Sequence, residues 1–512
     1  MLRKALESLG RDTAIFGVSG AISKCIAIFT LPILTRILSK TEYGAIDAAI
    51  ALTTGFAGLI ILGQDAAVAR FFYDEDSDEA HRQRVASSAV GLHAVMLVIF
   101  GLLFSAFGDS IGRRLYADNF DAARHWKLAL WMLPGAVCHS FSINILKWTR
   151  QRAKYLVMTV GSSVAQIGLT IFLVLYLKQG VAGGIWAIIL STNAFALLGL
   201  FLISGYLRPR LMLSDFGLIT TMLAYGLPFT VVMIPAIDRS FLLRFTDLEQ
   251  VGVYAVGVKI SGVLALCTSA FSLAFGPYAF SVWNEEHGAE TLAKVCKIYF
   301  FIATLLAGLL AEFGGILIRV LASAEYLPVL VVLPPLLLAV VLGGLFEFGV
   351  LGILKSKKSH YHVMTQLFGL AMLLLCNYYF VPRFAILGAA ISLLLAKASV
   401  SAFAFWISNR YYKLPIEYMR MMLVFLIWVA HSGLVYLDYL GLHQSLGWIK
   451  PGATLLLPWI GALVVFDENE RQGIARWFKG TFLDIVERVQ GGGAMAGPAS
   501  ANEELESSAR PL

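Results

Sequence analysis

Residues 225–283 read YGLPFTVVMIPAIDRSFLLRFTDLEQVGVYAVGVKISGVLALCTSAFSLAFGPYAFSVW. Two apolar runs flank a short polar turn, Thr246 to Gln250, and each run is long enough to cross about 30 Å of hydrocarbon as a helix. The first run carries Pro228 and Pro235, which remove backbone donors and predict a kink whose freed carbonyls neighbouring groups must satisfy. The second carries Lys259 about eight residues past the turn, roughly 12 Å along a helix that rises 1.5 Å per residue. A cation at such depth costs about 2.5–3.5 kcal/mol to insert, so Lys259 is expected to face protein or a wet cavity.

Outward from this stretch, the same pattern recurs near the N-terminus. Pro32-Ile-Leu-Thr-Arg36 has the spacing of Pro235-Ala-Ile-Asp-Arg239, and each is followed by an acid with a glycine and a tyrosine: Glu42, Tyr43, Gly44 and Glu249, Gly252, Tyr254. This is a weak internal repeat. The whole chain shares the composition of the opening stretch: of 512 residues, 58% are hydrophobic and only 14% charged, with mean hydropathy +0.75. A soluble protein of this length would carry more charge and shorter apolar runs. The predicted fold class is therefore an all-α integral membrane protein of about fourteen transmembrane helices.

The connector YLRPRLMLSDFG divides the first twelve of these helices into two halves of six. Six is even, so both halves enter the membrane from one side and the repeat is parallel, with a site expected between the halves near the midplane. The predicted organisation is a cytoplasmic lead (1–12), a first six-helix half (13–206), the connector (207–216) and a second six-helix half (217–408). An extra helix pair (421–466) follows, then an interfacial amphipathic helix (467–490) with Ile474, Trp477, Phe478, Phe482, Ile485 and Val489 at helical spacing, and a disordered tail (491–512).

The net charge of +7 is read as topology, because most of the 40 lysines and arginines fall in alternate connecting segments and place both termini in the cytoplasm. The loop around Arg113–Lys127 runs against that bias; the longest outer loop is expected at about Gly108 to His125. No basic stripe interleaved with aromatics appears in a soluble segment, so no nucleic-acid partner is indicated. The 5 cysteines are scattered without ligand spacing, the 9 histidines form no metal-binding pair, and no phosphate-binding glycine loop is present. Neither metal, cofactor nor direct ATP hydrolysis is expected, and proton or sodium coupling is the hypothesis for the buried carboxylates.

Four blocks carry a resemblance: LPILTRILSKTEYG, LGQDAAVARFF, GLPF with the following DR and VGVYAVGVKI, and NYYFVPRFAILGAAIS. Together, over about residues 10–410, they resemble the polysaccharide transporters, the O-antigen and exopolysaccharide flippases of the multidrug/oligosaccharidyl-lipid/polysaccharide exporter superfamily. The resemblance implies a MATE-like fold in a bacterial inner membrane and a polyprenyl-diphosphate-linked oligosaccharide as substrate. It also implies membrane lipids, a polysaccharide polymerase and a chain-length regulator as partners. In the related lipid II flippases, cavity arginines lie on the first, second and eighth helices. Lys24 and Lys259 match the first and eighth by helix alone, and the second has no basic counterpart. The extra helix pair forms a groove for a prenyl tail in some relatives, which the resemblance extends to this chain.

Ionisable groups inside apolar runs mark substrate or ion pathways by default. The candidates for the diphosphate are Lys24, Lys259, Lys397, Arg239 and Arg36; those for ion coupling are Glu347, Glu312, Asp238 and Asp47. Each has a structural alternative: an internal salt bridge for the lysines, a snorkelling side chain for Lys397, an interfacial anchor for Arg36 and Arg239. Two other functions compete. A multidrug or organic-cation antiporter on the same fold would want an acidic, aromatic cavity, and a membrane polymerase or ligase would want a catalytic surface outside the bilayer.

Overall fold

A computed structural model describes residues 19–23, 25–26, 28–73, 78–116, 120–230, 237–356, 358–439 and 468. Every regular element among them is helical. They are α1 (Thr30–Ile37), α2 (Lys40–Ile61), α3 (Gln64–Phe71), α4 (Glu79–Tyr116), α5 (Phe120–Ala129), α6 (Met132–Trp148), α7 (Arg152–Tyr176) and α8 (Gly180–Leu202). After the connector come α9 (Phe216–Thr230), α10 (Ile237–Phe245), α11 (Leu248–Val282), α12 (Gly288–Glu312), α13 (Gly314–Leu321), α14 (Val329–Lys355), α15 (Ser359–Ser408) and α16 (Tyr418–Tyr439). Among the described residues, 9 helices are long and apolar enough to cross a membrane. One of them, α15, is two helices end to end, broken at Ala385, where φ is 48° and ψ −126°. The protein is a multi-span membrane protein.

The expected turn falls at Thr246 and Asp247, between α10 and α11. Asp247 makes it: its carboxylate accepts a hydrogen bond from the Gln250 N–H at 2.8 Å and satisfies a donor that the helix start would otherwise leave bare in an apolar setting. At the start of α2 the same task falls to a reciprocal pair. Ser39 Oγ accepts from the Glu42 N–H, and the Glu42 carboxylate accepts from the Ser39 N–H at 2.8 Å.

These two capped starts lie side by side. A Cβ on Gly44 would overlap the Leu248 carbonyl oxygen, and one on Gly252 would overlap that of Lys40, so α2 and α11 meet backbone to backbone. Lys40 and Glu249 close the contact with an ion pair at 2.5 Å. At its other end α2 is broken by two left-handed residues, Leu62 (φ 52°) and Gly63 (φ 65°), before α3 resumes. Gly63 presses on the backbone of Gly226 in α9, where only glycine fits both the contact and the positive φ. On either side of residues 231–236, α9 packs against α3, while α10 packs against α15.

The expected loop from Gly108 to His125 is a correction. The segment is helical on both sides of residues 117–119, with α4 running 38 residues to Tyr116 and α5 beginning at Phe120. Its excess of base has a local cause: Lys127 pairs with Asp109 at 2.5 Å, and Arg113 and Arg114 lie in the last turn of α4, where cations favour the negative end of the helix dipole. The lead (1–12), the second helix of the extra pair, the interfacial helix apart from Glu468, and the tail lie outside the described residues.

Candidate functional site

Three charged features stand inside the helical bundle. The first is a cluster on α2, α10 and α11. Arg239 reaches Asp47 Oδ2 through Nε at 3.2 Å and Asp238 Oδ2 through Nη1 at 2.8 Å. The Tyr254 hydroxyl donates to the same Asp238 oxygen at 2.7 Å, and the Arg239 guanidinium lies 4.9 Å from the centre of the Tyr254 ring. The Lys259 ammonium is 5.2 Å from the centre of the Tyr43 ring, which meets Tyr326 edge-on at 6.1 Å, and Asp47 is within its electrostatic reach. Two acids and two bases balance, which is what allows four charges to leave water together.

The second feature is a cavity of about 730 Å³ between α11, α14 and α15. Ser261, Thr268, Ser269 and Ser272 line one wall, at spacings that place them on one face of α11; Glu347 and Lys397 stand on the others. Each hydroxyl donates to a carbonyl of its own helix, at 2.6–3.2 Å, and keeps lone pairs for a guest. Glu347 is within hydrogen-bonding reach of Ser272. Gly343, lacking a side chain, leaves the space along which the Lys397 stem runs. Lys397 is exposed to the cavity, and among the described residues no acid pairs with it.

The third is a pair of polar contacts that fasten α16 to α12. The buried Lys297 ammonium meets Glu417 at 3.0 Å, with Arg420 on the other Glu417 oxygen at 2.6 Å, and His431 lies 3.7 Å from Glu312. An apolar cavity of about 420 Å³, with Phe300, Phe405, Trp406 and Phe425 among its walls, lies between α12, α14, α15 and α16.

The residues singled out from sequence are therefore dispersed. Asp47, Asp238, Arg239 and Lys259 come together; Glu347 and Lys397 share the cavity; Glu312 stands apart beside His431. Arg36 is exposed and donates to the carbonyls of Val320 at 2.9 Å and Ala322 at 3.2 Å, at the C-terminal end of α13. Lys24 lies outside the described residues. Tyr254, Tyr43, His431 and the Lys297–Glu417 pair went unread as functional. Tyr43 and Tyr254 stood in the repeat, which was the available signal. Nothing in a single chain announces that a loop glutamate closes on a lysine 120 residues away.

Residues 9–283 match the family of polysaccharide biosynthesis proteins. An uncharacterized membrane protein of Haemophilus influenzae is 26% identical over 290 residues, 53% of this chain; the chain spans 65% of that relative's length. Among solved structures, the lipid II flippase MurJ in an inward closed conformation superposes with TM-score 0.65 at 13% identity, covering 89% of this chain and 97% of the other. An outward-facing multidrug resistance MATE family transporter of the MOP superfamily gives TM-score 0.56 at 17% identity, covering 80% and 97%. The inward-facing form of a MATE family transporter gives 0.53 at 17%, covering 79% and 94%. At these identities the structures share the fold, and the proteins that carry it are transporters and a flippase rather than enzymes.

Proposed function

From the premise that the chain belongs to the polysaccharide biosynthesis protein family, we propose that it is a flippase for a polyprenyl-diphosphate-linked oligosaccharide, the repeat unit of an O-antigen, capsule or exopolysaccharide. It works in a bacterial inner membrane with both termini in the cytoplasm, alongside a polymerase and a chain-length regulator. Two six-helix halves, 13–206 and 217–408, rock about the central path and open it to each side in turn. The saccharide and diphosphate pass inside, and the prenyl chain stays in hydrocarbon.

The observation that carries this reading is the cavity of about 730 Å³, in which a row of hydroxyls, Glu347 and an exposed Lys397 stand among apolar walls. A diphosphate ester carries about two negative charges, and moving it unaided through low dielectric costs several kcal/mol per charge. A lysine supplies a point charge without a fixed bidentate geometry, which suits a guest that must leave again. The row of α11 hydroxyls offers acceptors to sugar O–H groups. Glu347 on the facing wall is the coupling group, where binding and losing a proton or sodium ion offsets the cost of a bare carboxylate. Glu312, beside His431, is its second candidate.

Reconstitution in proteoliposomes with a fluorescent polyprenyl-diphosphate oligosaccharide tests the proposal. Lys397→Gln should slow translocation about tenfold, the loss of roughly 1.4 kcal/mol of stabilisation, at unchanged protein abundance. Glu347→Gln should remove the dependence on the ion gradient. A full rate in Lys397→Gln overturns the cavity assignment. Translocation of organic cations without any of the saccharide would favour the antiporter, for which Glu347 is the natural ligand.

A further inference from the structure

We propose that Lys358, Arg410 and Lys413 form a docking site for the headgroup of an anionic phospholipid of the surrounding bilayer, at the end of the bundle where α14 meets α15 and α15 meets α16. The proposal needs only that the chain spans a membrane, and it does not rest on the flippase reading. Its parts come from three stretches of chain. Trp283 follows α11, Lys355 and Lys358 stand on either side of the joint between α14 and α15, and Trp406 to Lys413 lead from α15 toward α16. Lys355 ties these stretches together. Its ammonium donates to the Trp283 carbonyl at 2.7 Å and lies 4.2 Å from the centre of the Tyr412 ring and 5.9 Å from that of Trp283.

Two exposed cations are held there on rings instead of acids. The Arg410 guanidinium lies 3.9 Å from the centre of the Trp406 ring, which is itself 55% exposed. The Lys358 ammonium lies 4.7 Å from the centre of the Tyr411 ring and donates to its hydroxyl at 3.3 Å; that hydroxyl donates in turn to the Tyr361 hydroxyl at 3.4 Å. The charges of Lys358 and Arg410 both reach Tyr411, so one residue stands between them. Lys413, also exposed, follows on the same connecting segment. Among the described residues no acid pairs with Lys355, Lys358, Arg410 or Lys413. Glu417 is taken by Lys297 and Arg420, and Glu285 and Glu286, just past Trp283, are exposed and pair with none of the four.

Chemistry and position select the partner. A cation stacked on a ring gives up water on one face only, and the N–H edge of Arg410 stays free to meet the two oxygens of a phosphodiester. Trp406 and Tyr418 are exposed at helix ends and Tyr411 is half-buried beside them, and such rings settle at the depth of lipid headgroups, apolar body inward and polar tip outward. At that depth the abundant anion is the lipid phosphate, and a cluster of bases next to a membrane helix draws it. Four like charges without an acid also repel one another. A headgroup among them therefore stabilises the segment 409–417, which brings Glu417 to Lys297 and so fastens α16 to α12.

Native mass spectrometry of the full chain in a neutral detergent, titrated with dioleoyl phosphatidylglycerol or dioleoyl phosphatidylethanolamine, tests the site. The wild type should bind phosphatidylglycerol the more tightly, and Lys358→Gln, Arg410→Gln and Lys413→Gln together should weaken it about tenfold while leaving phosphatidylethanolamine unchanged. Replacing three exposed arginines elsewhere, Arg84→Gln, Arg208→Gln and Arg210→Gln, should change neither affinity. An equal loss there would mean attraction to net charge alone and overturns the site. Trp406→Leu with Tyr411→Leu keeps every charge but removes the rings, and should weaken phosphatidylglycerol about threefold; unchanged affinity overturns the site as well. Inorganic phosphate at the same concentration should not displace the lipid, and displacement would identify a free-anion site instead. Removing residues 491–512, which carry Glu503, Glu504 and Glu506, should leave lipid affinity as it is, whereas a gain of about tenfold would assign the patch to the chain's own tail. Thermal unfolding guards against a folding defect. Phosphatidylglycerol should raise the midpoint of the wild type and not that of the triple variant, from equal midpoints without lipid, and an equal rise in both counts against the proposal.

Discussion

Tyr254 shows how much a single hydroxyl can organise. Its O–H donates to the carboxylate that pairs with Arg239, and its ring underlies the same guanidinium, so one side chain fixes both partners. Removing only the oxygen, in Tyr254→Phe, keeps the ring and leaves Asp238 short of a donor. A hydrogen bond to a buried charged group contributes about 1.5–3 kcal/mol, so the variant should unfold several degrees lower in detergent while still expressing. An unchanged midpoint would mean that water replaces the hydroxyl and that the cluster is wetter than its burial implies. The charges of this cluster were readable from sequence, because a charge in an apolar run is conspicuous whatever surrounds it. Their pairing was not. Asp47 and Asp238 had the marks of ion-coupling groups and Arg239 of a substrate contact; which of these they become depends on two helices that meet across 192 residues of chain.

At the scale of elements, the decisive contacts are made by residues with no side chain. Gly44 and Gly252 let α2 and α11 touch through their carbonyls, whereas Gly262, on the same helix as Gly252, has nothing within 4 Å of its would-be Cβ. Gly252→Val should therefore force the helices apart and cost about 1–3 kcal/mol, while Gly262→Ala should be neutral within about 0.5 kcal/mol. Thermal unfolding of the two variants side by side checks the contrast, and equal shifts would dissolve it. The turn before α11 was legible in the sequence because Thr246–Gln250 is polar between apolar runs, whereas α10, expected as part of a full crossing, is only 9 residues long. The reciprocal cap at Ser39 and Glu42 follows an S-x-x-E pattern that was present in SKTE and passed unread. The helical character of residues 108–116 and 120–125 was hidden by their polarity, which looks the same on a helix leaving the membrane as in a loop.

At the scale of the molecule, α2 and α11 meet at the end marked by Lys40, Glu249, Arg36 and the α13 carbonyls. In the proposed orientation that end lies at the outer face, and the proposed flippase cycle would open it once per turnover. The Lys40–Glu249 ion pair is partly exposed and contributes little by itself, on the order of 0–1 kcal/mol, so it marks the position of the closure without supplying its strength. A covalent bond at the same place should act differently. In a background free of the 5 native cysteines, joining Lys40→Cys to Glu249→Cys with a short methanethiosulfonate cross-linker should lower the rate of saccharide translocation at least about tenfold, and cleavage by a thiol reductant should restore it. The unlinked double variant serves as the control, since it has lost the ion pair but remains free to part. Full translocation by the linked protein would mean that α2 and α11 never separate during the cycle. The path would then have to run through the α11–α14–α15 cavity without passing between these two helices.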